Sequence, residues 1–133
     1  EKALKPNFIK YQLQIIKNSQ KLAEELQKQG FTLYTGGTDN HLMLIDLKPI
    51  NILGKDAEKI LEQANITASR NSLPDDASPF NPPGLRLGTP AMKEKEMTQI
   101  ADWLKRLLIN KESPKSIKKE VESFLKKFPL KCK

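Results

Sequence analysis

Five of the nine prolines in this 133-residue chain fall between Leu73 and Pro90. Proline fixes its own backbone torsion and offers no N–H, so Pro74, Pro79, Pro82 and Pro83 are excluded from a helix interior and from the middle of a sheet. The segment is therefore a constrained loop, interrupted once by Gly84-Leu-Arg-Leu-Gly88, which alternates as a strand does. Within that strand Arg86 points opposite to Leu85 and Leu87, toward solvent or toward a pocket. Those two directions separate an ordinary surface salt bridge from a binding site.

Around this loop the chain alternates in character. From Asn7 to Gln29, Ile9, Leu13, Ile16, Ala23 and Leu26 recur at helical spacing, and Gly30 supplies a left-handed stop. Phe31 to Tyr34 reads as a strand, Gly36-Gly37 as a turn, and Leu42 to Leu47 as an almost wholly apolar strand buried on both faces, giving an antiparallel pair. A short helix opens at Gly54-Lys55-Asp56, with Ala57, Ile60, Leu61 and Ala64 inward, and Ile66 to Arg70 is a weaker strand. Met97, Ile100, Ala101, Leu104, Leu107 and Leu108 form a strong helical stripe, with Trp103 packing at its edge. Ser113 and Pro114 make an N-cap and first-turn pair for a last helix. This order predicts one α+β domain over residues 1–133: a small mixed or antiparallel sheet with helices on one face.

The net charge of +7 is concentrated. Residues 105 to 133 carry ten Lys or Arg against three acids, whereas residues 1 to 104 balance thirteen against thirteen. Ile117, Val121, Phe124, Leu125 and Phe128 recur through the basic tail, so it reads as an amphipathic helix with a solvated lysine face, and no nucleic-acid partner is expected. No run of about 18 apolar residues exists to span a membrane, and the opening Glu1-Lys2-Ala3-Leu4 lacks a signal-peptide pattern, so a cytoplasmic protein without a membrane partner is expected. Cys132 and His41 are each the sole residue of their type, which excludes a disulfide framework and argues against a metal centre. His41 is the only imidazole available as a general base, and its place in Thr38-Asp39-Asn40-His41 suits holding a turn better than catalysis. Asp75-Asp76 reads as a solvated pair, and Gly36-Gly37 lacks the lysine and spacing of a phosphate loop. Arg86 survives this elimination, because a planar guanidinium can grip a carboxylate through two parallel hydrogen bonds.

Gly36-Gly-Thr-Asp-Asn-His-Leu42, Asn65-Ile66-Thr67, Asn71-Ser72-Leu73-Pro74 and Ser78-Pro-Phe80, followed by Gly84-Leu-Arg-Leu-Gly-Thr-Pro-Ala91, resemble in the same order the C-terminal part of serine hydroxymethyltransferase. The resemblance runs from about Ala3 to Leu108, and Phe128-Pro129-Leu130 is similar to the family's end. It implies the small C-terminal domain of a fold-type I pyridoxal-phosphate enzyme that interconverts serine and glycine, with tetrahydrofolate carrying the one-carbon unit. By that resemblance Arg86 holds the substrate carboxylate, Asn71 lies near the pterin ring, and Ser78, Pro79 and Phe80 contribute to the folate site. The cofactor lysine of the family ends a Thr-rich motif in His-Lys, a pair this chain lacks. Catalysis then needs the preceding large domain and the partner subunit of a homodimer, the chain alone being inactive, and a detached small domain should show an exposed apolar face. The chain departs from the family where Met92 runs into Lys93-Glu94-Lys95 in place of Thr-x-Arg-Gly, and where Ser69-Arg70 replaces Asn-Lys. A reading of another class is a non-catalytic basic module that binds nucleic acid, or an isolated folate-binding or interaction domain.

Overall fold

The computed structural model describes residues 6–76, 80–89 and 94–128. The chain runs α1 (Pro6–Lys28), β1 (Thr32–Leu33), β2 (Leu42–Asp46), a 3-10 turn (Lys48–Ile50), α2 (Gly54–Gln63), β3 (Ser69–Asn71), β4 (Gly84–Gly88), α3 (Glu94–Leu108) and α4 (Pro114–Leu125). The four strands form one antiparallel sheet in the order β1-β2-β4-β3, as the α+β expectation required.

The first two helices stop where the sequence supplies a residue for the left-handed region. Gly30 at φ 96° closes α1 in the Schellman pattern, Phe31 N–H donating to Leu26 O and Gly30 N–H to Gln27 O. α2 closes the same way, with Asn65 at φ 61° in place of glycine and Ile66 N–H donating to Leu61 O. This moves the third strand. Ile66 was expected to begin it, but its amide is used in ending α2, and pairing starts at Ser69. Ser113 stands at the N-cap of α4 as expected, with Pro114 in the first turn, yet its side chain makes no capping hydrogen bond.

Register assigns every strand residue to a face, since residues directly opposed across a ladder share one. Leu33, Ile45 and Leu85 lie in one row and Met43 and Leu87 in the next, all buried against Leu22, Leu26, Leu61, Leu104, Leu107 and Ile117 from the helices. The other face carries Thr32 opposite Asp46, Leu44 opposite Arg86, Ser69 opposite the same Arg86, and Asn71 opposite Gly84. The expectation that the Leu42 strand is buried on both faces is therefore corrected: Leu42, Leu44 and Asp46 are only half-buried, because the helices cover one side of the sheet.

A second correction concerns α1. Its C-terminal half packs with Leu22, Ala23 and Leu26 buried, but Ile9 is 56% exposed and Leu13 54% exposed. Phe8 and Tyr11 are also exposed. The apolar periodicity is real, yet residues 6–13 are exposed throughout and find no cover among the described residues. Among those residues no helix is long and apolar enough to cross a membrane, and no group of His, Cys, Asp or Glu could hold a metal ion.

Candidate substrate-binding site

The open face of the sheet is shaped by two glycines. A Cβ on Gly84 would collide with the backbone carbonyl of Asn71 and come within 2.9 Å of Leu73 Cδ2, so this residue lets β3 lie hard against β4 at the point where Asn71 leaves the sheet. Gly54 does the same for the proline loop: a Cβ there would stand 2.5 Å from Pro82 O, the carbonyl that accepts from Gly54 N–H at 3.0 Å. Pro83 O accepts from Leu47 N–H at 3.0 Å. Prolines cannot donate, so this loop is anchored through its carbonyls.

These anchors leave a concavity of about 580 Å³ above β2 and β4, lined by Arg86, Asn71, Leu44 and the turn Thr35 to Asn40. The turn forms its wall and is held internally. Thr38 Oγ1 donates to Leu42 O at 2.5 Å, Leu42 N–H donates to Asn40 Oδ1 at 2.8 Å, and Gln27 Nε2 reaches from α1 to Gly36 O at 3.0 Å. His41 was expected to hold this turn. Its contribution is the backbone carbonyl, which accepts from Thr89 N–H at 3.0 Å, and the side chain is exposed.

Arg86 is exposed between buried Leu85 and Leu87, and it lines the open concavity. Among the described residues its guanidinium has no hydrogen-bond or ion-pair partner, although Asp39 lines the same concavity. Asn71 is half-buried on that wall. The structure thus brings together Arg86 and Asn71, residues 15 apart in sequence. Phe80 does not line the concavity and is 88% exposed, while Ser78 and Pro79 lie outside the described residues. Thr35 and Thr38 are lining residues that elimination by chemical type passed over; their polar, turn-forming context was the available signal.

The far end of the loop is tied down by charge. Lys48 Nζ is 3.7 Å from both Asp75 Oδ2 and Asp76 Oδ1, and Asp76 Oδ2 accepts from Leu73 N–H at 2.7 Å. Asp76 is thus structural, its side chain 8% exposed, whereas Asp75 is solvated as expected, at 63%. Burial and the neighbouring Asp75 carboxylate raise the Tyr34 phenol above its ordinary range.

A guanidinium without a protein partner beside an amide, on a floor that includes a half-buried leucine, is a donor set for a small carboxylate. Among the described residues no lysine lines the concavity, so those residues do not fit covalent attachment of an aldehyde cofactor. The family model described as "SHMT: Serine hydroxymethyltransferase" matches residues 1–104, which include the whole concavity and stop within α3.

Proposed function

This chain belongs to the serine hydroxymethyltransferase family, and from that premise we propose that it is the small C-terminal domain of an enzyme that interconverts serine and glycine with tetrahydrofolate. Arg86 binds the substrate carboxylate through two parallel charge-assisted hydrogen bonds, fixing the position and the plane of the amino acid. Asn71 presents an amide, which can both donate to and accept from a pterin edge. Ser78, Pro79 and Phe80 contribute to folate binding by the family resemblance, and the exposure of Phe80 leaves its ring free to pack on the aminobenzoyl part.

Pyridoxal phosphate would be held by a large domain outside this chain and, when bound, would supply an electron sink for chemistry at the substrate α-carbon. The part of this domain is binding and orientation. Its chain alone is inactive, and the complete enzyme is a homodimer. The exposed apolar start of α1 supports a covering neighbour of this kind.

The observation that carries the reading is the convergence of Asn71 and an Arg86 without a partner among the described residues on one concavity, within a chain of this family. Replacing Arg86 by Ala in the full enzyme is expected to raise KM for serine about thirtyfold or more, the equivalent of roughly 2 to 5 kcal/mol for an uncompensated charge partner. Arg86→Lys should recover only part of this, because an ammonium cannot form the bidentate pair. An unaltered KM in Arg86→Ala would remove the proposed role.

A further inference from the structure

The segment that follows Asn71 is fixed by a charge cluster outside the concavity. Asp76 closes a reciprocal turn: its N–H donates to Leu73 O at 3.0 Å, and its Oδ2 accepts from Leu73 N–H at 2.7 Å. Leu73 is buried, so its amide, deprived of that carboxylate, would be a donor removed from water with nothing to meet it. The remaining oxygen, Asp76 Oδ1, lies 3.7 Å from Lys48 Nζ, which stands equally far from Asp75 Oδ2. The Tyr34 phenol in turn hydrogen-bonds to Asp75, and Tyr34 adjoins Thr35 in the wall of the concavity. Lys48 belongs to the 3-10 turn after β2, and its own N–H donates to Asp46 Oδ1 at 2.9 Å. The stretch Leu47 to Gly54 thus receives both described ends of the proline segment, Asp76 by charge and Pro82 and Pro83 through their carbonyls.

Asn71 stands two residues before Leu73, with Gly84 of β4 directly beneath both. Its place is bounded by the sheet on one side and by the Leu73–Asp76 turn on the other. Building on the reading of Arg86 and Asn71 given above, we propose that Asp76 and Lys48 are positioning residues for Asn71. They set the direction in which the chain leaves β3, and so hold the Asn71 amide on the wall where a pterin edge would meet it. Neither residue lines the concavity itself, so they act through the backbone between Asn71 and Asp76. A carboxylate suits the place because it accepts from an amide and pairs with an ammonium at once. Displacing the Asn71 amide would misalign both of its hydrogen bonds to a ligand. Arg86, held between Leu44 of β2 and Ser69 of β3 in the interior of the sheet, does not depend on this turn.

The test is steady-state kinetics of the full enzyme, with KM for tetrahydrofolate and KM for serine measured separately. Asp76→Ala should raise KM for tetrahydrofolate about tenfold, the effect of a lost charged hydrogen bond, and change KM for serine less than about twofold. Asp76→Asn and Lys48→Ala both keep an acceptor for Leu73 N–H; each should raise KM for tetrahydrofolate about threefold at an unchanged melting temperature, modest because Lys48 is partly exposed. These two variants carry the test should Asp76→Ala fail to fold. Lys48→Arg should restore the native value. Because the effect passes through Asn71, Asp76→Asn should add nothing in an Asn71→Ala background. Full additivity with Asn71→Ala, or an equal rise of KM for serine and for tetrahydrofolate, overturns the proposal. An effect of Asn71→Ala on KM for tetrahydrofolate with none from Asp76→Asn and Lys48→Ala overturns this inference alone. No effect of Asn71→Ala removes its pterin role and this inference with it, while the role of Arg86 is decided separately by KM for serine.

Discussion

Two arginines in this domain have opposite surroundings, and the contrast separates a residue that holds the fold from one that can hold a ligand. Arg106 joins α3 to α4: it donates to Glu112 and Glu120, and Asp102 Oδ2 lies 3.6 Å away. The guanidinium hydrogen bonds from Arg106, and then the indole bond from Trp103, hold the Glu120 carboxyl below its ordinary value, while Glu120 and Glu112 push Arg106 further up. Arg86 stands on a strand flanked by leucines, with no such partner among the described residues. A charge satisfied by its own chain has little left to offer a ligand; one left open on a concave wall keeps its hydrogen-bonding capacity for a carboxylate.

The contrast predicts opposite phenotypes, beginning with the largest. Arg86→Ala should raise KM for serine about thirtyfold or more and leave the melting temperature where it was; a fall of several degrees would make Arg86 another structural arginine. Gly84→Ala forces a methyl group against the Asn71 carbonyl and should destabilise by about 1 to 3 kcal/mol. Thermal melting measures that loss, and an unchanged midpoint would show that β3 can move aside. Asn71→Asp would place an acid on the same concavity as Arg86, imitating the surroundings of Arg106, and is expected to weaken serine binding about tenfold, the effect of roughly 1.4 kcal/mol. Unchanged binding would separate Asn71 from the substrate end of the site.

Arg106→Ala should lower stability by about 1 kcal/mol, modest because its partners are partly exposed, with KM for serine preserved. The smallest effect is pH-dependent. Hydrogen bonds from Arg106 lower Glu120, and hydrogen bonds from Lys21 and Lys28 lower Glu25, below the ordinary 4.5. A carboxyl depressed in the folded state contributes its stability fully above 4.5 and loses it as the pH falls through the folded value. Acid unfolding should therefore begin below about pH 4.5 and be shallower in Arg106→Ala; identical acid limbs would remove the ion cluster as a source of acid lability.

Much of this was legible in the residues. The proline loop, the glycine-bounded Arg86 strand, the α+β order, the packing role of Trp103 and the glycine that ends α1 all follow from local rules, because torsional freedom, missing donors and periodicity act within a few residues. The pairing of the motifs Gly36 to Leu42 and Gly84 to Ala91 with one family was legible as well. The half-burial of Leu44 was not, since an apolar run looks the same whether one face or both are covered. The exposed start of α1 was hidden for a related reason: spacing reports that a helix has an apolar face but not how far its partner extends.

By itself, then, the sequence determined the inventory of elements, the family and the identity of the one arginine on an alternating strand beside the proline loop. Only the tertiary structure decided that Arg86 and Asn71 meet on one wall and that Arg106 is taken up by Glu112 and Glu120. The physical reason is that pairing of charges is set by distances between segments far apart in the chain, and those distances follow from strand register and helix packing rather than from local residue preference.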